Sequence, residues 1–172
     1  MKNTGFFSTS LIAALVFPMW AANLDRADSQ FVNKAAEGGL AEVQLGQLAQ
    51  DKGSNQAVKD FGSQMVKDHT DANNQLKSVV SNKGTTVPDK MNAKDQALYD
   101  RLSKLSGSQF DRAYITAMVK DHREDIAEFQ RESKTGKDPD VKSFATNTLP
   151  TLEHHLQMAE QAQKQLGATS RK

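Results

Sequence analysis

Residues 58–80 read VKDFGSQMVKDHTDANNQLKSVV, and this stretch decides the fold. Val58, Phe61, Met65, His69, Ala72, Leu76 and Val80 recur at steps of three and four. At about 100° per residue they line one face of a helix that must bury against a neighbour. The same spacing returns three times. It runs through Tyr114 or Ile115, Met118, His122, Ile126 and Phe129, and through Val141, Phe144 or Ala145, Thr148, Leu152, His155, Ala159, Ala162 and Leu166. Phe31, Ala35, Gly38, Glu42, Leu45 and Ala49 make the fourth stripe. Nothing alternates with period two over a useful length, so the chain is all-α. Four stripes of this kind build a four-helix bundle.

Boundary signals divide the chain accordingly. Asp28 and Ser29 offer a cap for the first helix, which Gly53 stops after Lys52. The second helix runs from Ser54 to about Asn82, and residues 84–91 (GTTVPDKM) form a loop with Pro88 at its turn. A short helix spans about Ala93 to Leu105, and Gly107-Ser108 opens a third long one through about Ser133. Asp138-Pro139 is a cap followed by proline in the first helical position. That last helix reaches Gly167 with a kink expected at Pro150, and residues 168–172 fray. The domain is therefore 28–167, an up-and-down bundle with a short extra helix between its second and third long helices. Gly38, Gly39 and Gly46 are costly inside a helix, which points to close backbone packing.

Composition narrows the function. The 172 residues carry 22 Lys and Arg against 21 Asp and Glu and no Cys. Balanced charge gives nucleic acid no basic stripe to follow, so no nucleic-acid partner is expected. Without Cys there are no disulfides, thiolate metal sites or thiol nucleophiles. Residues 1–22 read as a signal peptide: Lys2 supplies a positive start, Phe6 to Phe17 an apolar stretch, Pro18 a break and Ala21-Ala22 a small-residue exit. The apolar run is short of the ~20 residues a spanning helix needs. An uncleaved anchor is the alternative, because Met19 and Trp20 make the exit imperfect. With residues 1–22 removed, the mature chain would have no spanning segment, carry equal numbers of each charge and reside in the periplasm or outside the cell.

An internal echo joins the helices. Met65-Val66-Lys67-Asp68-His69 recurs as Met118-Val119-Lys120-Asp121-His122, and VKDF at 58–61 is matched by VKSF at 141–144. Equivalent helices in a pseudo-symmetric bundle need equivalent residues. With GGLAEVQLGQLA in the first helix, GSQFDRAYITAMV, DPDVKSFA and LPTLEHHLQMAEQAQ, these segments resemble the DUF4142 family. This bacterial group is often labelled "predicted outer membrane protein". The resemblance covers about residues 28–166 and implies an exported, ferritin-like bundle with no established activity. The outer-membrane label itself finds no support: there is no barrel alternation, no Cys to lipidate and no second apolar span.

The four histidines carry what chemistry there is. His69, His122 and His155 fall on the apolar stripes of three helices, and Glu42 on that of the fourth, each near mid-helix. Buried polar groups cost a few kcal/mol each unless satisfied. One transition-metal ion would satisfy all four, with zinc or iron ahead of copper. Asp68, Asp121, Glu153 and His154 are the candidate outer groups around such an ion. Met65 and Met118 each precede a stripe histidine by four, a soft donor pattern that copper accepts and that ordinary core filling also produces. The di-iron pattern of Glu-x-x-His on two helices is missing, since Val66, Val119, Thr151 and Leu152 stand three residues before the histidines. Neither a Gly-x-Ser-x-Gly elbow nor a phosphate-cradling loop occurs, and Arg123-Glu124-Asp125 reads as a solvated face.

Two main readings stand at this level, and behind them a third, a helical interaction module whose exposed face docks a partner or a lipid. The first is a binding or structural protein of the envelope, with a stress-related role implied by the family alone and no catalysis, whose histidines bond to Glu42, Asp68, Asp121, Tyr99, Tyr114 or backbone carbonyls. The second is a metal-binding protein using Glu42, His69, His122 and His155.

Overall fold

The structure, a computed structural model, describes residues 23–169; the segment 1–22 and residues 170–172 lie outside the described residues. The described chain forms α1 (Arg26–Lys52), α2 (Gln56–Val80), α3 (Ala93–Ser103), α4 (Gly107–Thr135) and α5 (Pro139–Thr169), with no strand among the described residues.

Side-chain caps set most of the starts. Asp25 Oδ1 accepts from the Asp28 amide at 2.8 Å, Asn55 Oδ1 from Ala57 at 2.9 Å and Asn92 Oδ1 from Asp95 at 3.0 Å. Asp28 is thus not the cap of α1. It is buried, and its carboxylate accepts from the amides of Lys137 (3.2 Å) and Asp138 (2.7 Å), tying the start of α1 to the turn before α5. Asp138 does cap α5, accepting from Asp140 and Val141 at 3.0 and 3.1 Å. α5 runs on through exposed Pro150 to Thr169, so the proline does not divide it and Ala168 continues the helix.

These ties give the helix directions. The α1–α2 turn lies against the start of α4, where Asp111 accepts from the amides of Ser54 and Asn55, both at 3.0 Å. At the other end, Lys83 beyond α2 reaches Asp138 (2.8 Å) and Asp140 (2.7 Å) at the start of α5. The long helices therefore run up, down, down and up. The connection 81–106, with α3 laid outside α1 and α4, carries the chain back along the bundle before α4 begins. Simple alternation stops at α2 for that reason, giving the single long crossover of ferritin-like bundles. The packed neighbours are α1 with α2, α2 with α5, α5 with α4 and α4 with α1, so every adjacent pair is antiparallel.

The core comes in two parts. Near the α1–α2 turn, Leu45, Phe61, Met65, Phe110, Tyr114, Met118 and Ala159 pack together. Near the other end, Phe31, Val32, Leu76, Phe129, Val141, Phe144 and Leu152 do so, with Phe31 edge-on to Phe129 at 4.9 Å between ring centroids. Polar side chains occupy the level between them.

α1 and α2 approach closely at a pair of glycines. A Cβ on Gly46 would stand 2.7 Å from the Gly62 carbonyl oxygen, and one on Gly62 would stand 2.7 Å from that of Gly46 and 2.8 Å from Ala49 Cβ. Gly39 lies under the Asn73 side chain, whereas a Cβ on Gly38 would meet nothing within 4 Å, so close packing accounts for Gly39 and Gly46 but not for Gly38. Gly46→Ala is expected to destabilise by about 1–3 kcal/mol through overpacking against backbone. Gly38→Ala is expected to stabilise by about 0.5–1 kcal/mol through helix propensity. Urea unfolding of the two variants checks both, and equal effects would overturn the packing assignment.

Candidate metal centre

Antiparallel neighbours of similar length bring their midpoints to one level. Glu42 of α1, His69 of α2, His122 of α4 and His155 of α5 meet there, all buried, with Glu42 only 1% and His122 and His155 0% exposed. Ring centroids are 6.0 Å apart for His69–His122, 5.3 Å for His69–His155 and 5.4 Å for His122–His155. One ring nitrogen from each histidine lies within 4.8 Å of those of the others.

Counting nitrogens shows what the cluster lacks. His122 Nδ1 donates to the Met118 carbonyl at 3.0 Å, one turn back in α4. His155 Nε2 stands 2.9 Å from Asp68 Oδ2, a contact from α5 to α2 in which the ring donates and the carboxylate accepts. His69 Nδ1 lies 2.9 Å from Glu42 Oε2. The other three nitrogens, His69 Nε2, His122 Nε2 and His155 Nδ1, are buried without a partner. A neutral imidazole has one N–H and one lone pair, so a nitrogen that donates to an oxygen leaves a lone pair on the other. His122 Nε2 and His155 Nδ1 are assigned as lone pairs on that ground, and His69 Nε2 becomes one when Glu42 is a carboxylate.

Burial keeps these rings neutral. It pulls His69 and His155 down to about 4, and it pulls His122 down to about 3 with help from the neighbouring His69 and His155. Burial pushes Glu42 well above the usual carboxylate range, and the charges of Asp121 and Asp95 add to it. Without a cation the Glu42–His69 pair therefore favours its neutral form. A cation at the lone pairs would favour the carboxylate, which then orients His69 as acceptors commonly orient metal-bound imidazoles.

The outer candidates divide. Asp68 backs His155 and is itself held by Gln64 Nε2 at 2.6 Å. Asp121 groups with Glu42, and its charge also acts on His69: oxygens of Glu42, Asp121 and Asp125 lie within 4.8 Å of one another. Burial, with Asp95 next in effect, raises Asp121 to about 6. Glu153 and His154 do not join the cluster. Both are exposed, because one step of about 100° either way turns the side chain off the buried face that His155 occupies. The Tyr114 hydroxyl is buried with no partner, its ring stacked on Phe110, so it does not bond a histidine.

Asp125 is the residue that the sequence reading missed by grouping it with a solvated run. Arg123 and Glu124 do face solvent, Arg123 pairing with Glu160 at 2.7 Å and Glu124 with Lys94 at 3.4 Å. Asp125, three residues after His122 and four after Asp121, returns to their face. That spacing was the signal. A cavity of about 20 Å³ is lined by Gly38, Glu42, His69 and Asp125, room for one water-sized occupant.

The buried imidazoles make metal-free stability depend on pH. From about pH 6.5 down to about 3, an unfolded chain protonates His122 and the folded chain does not, so this residue lowers stability as pH falls. Urea titrations of metal-free wild type and His122→Phe at pH 7 and pH 4 are expected to show the difference moving against wild type by about 1–3 kcal/mol. An unchanged difference would mean that His122 is protonated in the fold.

No curated protein matches the sequence. Among solved structures, a DUF305 fragment from Deinococcus radiodurans superposes with a TM-score of 0.73 at 14% identity, covering 83% of this chain and 99% of that one. A DUF305 protein from Streptomyces coelicolor gives 0.70 at 14%, covering 82% and 92%. CopM in its Cu(II)-bound form gives 0.68 at 14%, covering 80% and 96%. At such identity these likenesses show a shared helical-bundle fold. A family model described as a domain of unknown function, DUF4142, matches residues 18–162, and the chain belongs to that family.

Proposed function

We propose that the protein binds one transition-metal ion through His69 Nε2, His122 Nε2 and His155 Nδ1, and that holding this ion is its role. One observation carries the reading: three buried histidine rings from three helices meet, and in each one nitrogen has no hydrogen-bond partner while the opposite nitrogen is engaged by an oxygen. Histidines serving only to specify packing would close both nitrogens, since each one left open costs about 1–3 kcal/mol. A bound ion removes that cost and pairs with Glu42.

Neutral imidazoles suit zinc, iron and copper. Three histidines leave a further coordination position, as a tetrahedral zinc site does when it keeps one place open. CopM has this fold in both Cu(II)-bound and Cu(I)-bound forms, and Met65 and Met118 are buried one turn before His69 and His122, which supports copper as the second ion to test. Exported metal handling, in the periplasm or outside the cell, is the setting we infer from residues 1–22. No helix among the described residues is long and apolar enough to cross a membrane.

Protein prepared without an affinity tag, loaded with zinc or copper and desalted, is expected to keep about one equivalent by elemental analysis. His69→Ala with His122→Ala should abolish retention while circular dichroism stays helical. Asp68→Ala should weaken affinity about 10–100-fold by removing the acceptor that orients the His155 ring. A double variant that still holds a stoichiometric ion would overturn the assignment.

A further inference from the structure

We infer that Glu42, Asp121 and Asp125 form a second cation site, for an oxygen-preferring divalent ion such as Mn²⁺, beside the histidine cluster and sharing Glu42 with it. The three carboxylates come from α1 and α4, and one oxygen of each lies within 4.8 Å of the others. An acidic group of this kind on a surface would mean little. Here Glu42 is 1% exposed, and its Oε1 has no hydrogen-bond partner. His122 Nδ1 stands 3.4 Å from that oxygen, but its proton goes to the Met118 carbonyl. Glu42 thus presents one oxygen to His69 and keeps the other unclaimed.

The surroundings point the same way. The cavity of about 20 Å³ touches Glu42, Asp125 and His69, so space for an occupant lies against two of the three carboxylates. On the opposite side Asp121 lines the open groove between α3 and α4, a route by which a hydrated ion reaches it. Two ammonium groups line that groove, and both pair with Glu124, Lys94 at 3.4 Å and Lys120 at 3.7 Å. Three carboxylates gathered at partial or full burial repel one another, which a bound cation relieves. The donors also differ in kind from the neighbouring set. Carboxylates favour hard ions and imidazoles favour borderline ones, so the two clusters select different metals. The site needs no ion on the histidines, although an ion there would hold Glu42 ionised.

The test uses the full chain and Mn²⁺, with free Mn²⁺ read by electron paramagnetic resonance at neutral pH. Titrations are run on zinc-free protein and on protein preloaded with one equivalent of zinc. Uptake of one Mn²⁺ in both is expected, weakened about tenfold or more in Asp125→Asn and in Asp121→Asn, with zinc retention and helical content unchanged. Failure of the wild type to take up Mn²⁺, or uptake that both variants preserve, would overturn the site. Zinc retention without Mn²⁺ uptake would leave the histidine site standing alone. Mn²⁺ uptake lost in the variants, in a protein that holds no zinc, would support this site and remove the other.

Discussion

Four ionisable side chains buried at one level of the bundle are the constraint around which the rest of this structure is arranged. Glu42, His69, His122 and His155 come from four different helices and stand between two apolar clusters. Taking such groups out of water is unfavourable, and apolar packing on both sides must offset it. It also fixes the helices against sliding: a shift of one turn, about 5.4 Å, would part the cluster and set polar atoms against Phe61 or Leu152. The ties at the two ends hold the same register. Asp111 grips the α1–α2 turn, and Asp28 grips the turn before α5.

Oxygens organise that level more than charge does. A carbonyl one turn back, a carboxylate from α2 and the carboxyl group of Glu42 from α1 each engage one nitrogen of a different ring. The rings are consequently oriented before any ion arrives, so little ordering remains to be done on binding. The carboxylate side of the same level is arranged differently. Glu42, Asp121 and Asp125 repel one another, and that repulsion is relieved by protons or by a cation. Glu42 belongs to both sets, and its protonation state therefore couples them.

The MVKDH repeat shows why equal sequence does not mean equal role. In α2 the aspartate of the repeat, Asp68, crosses to α5 and backs His155; in α4 its counterpart, Asp121, turns towards α1 and meets Glu42. The methionines of the two copies, Met65 and Met118, are both buried in the same apolar cluster. Helix periodicity places both aspartates one step from a buried histidine, and the neighbour on that side determines what each does. Nothing local to the repeat distinguishes them.

Periodicity and capping chemistry therefore determined a good deal alone: the all-α class, four long helices, the short fifth, the Asp138-Pro139 start and the presence of Glu42 and three histidines on inward faces. These are local properties, settled within a turn or two of the chain. The tertiary structure decided the rest. Asp25 takes the cap of α1 because Asp28 is claimed by amides more than a hundred residues away. Helix spacing turns Asp125 to the face of Asp121 and His122, but that it meets Glu42 there depends on where α1 packs. Glu153 and His154 stay outside because α5 turns only the His155 edge of that segment to the core. The unpartnered nitrogens belong to the same class of fact. Which ring nitrogen is left open depends on oxygens supplied by other helices or by the preceding turn, and those distances exist only once the helices have packed.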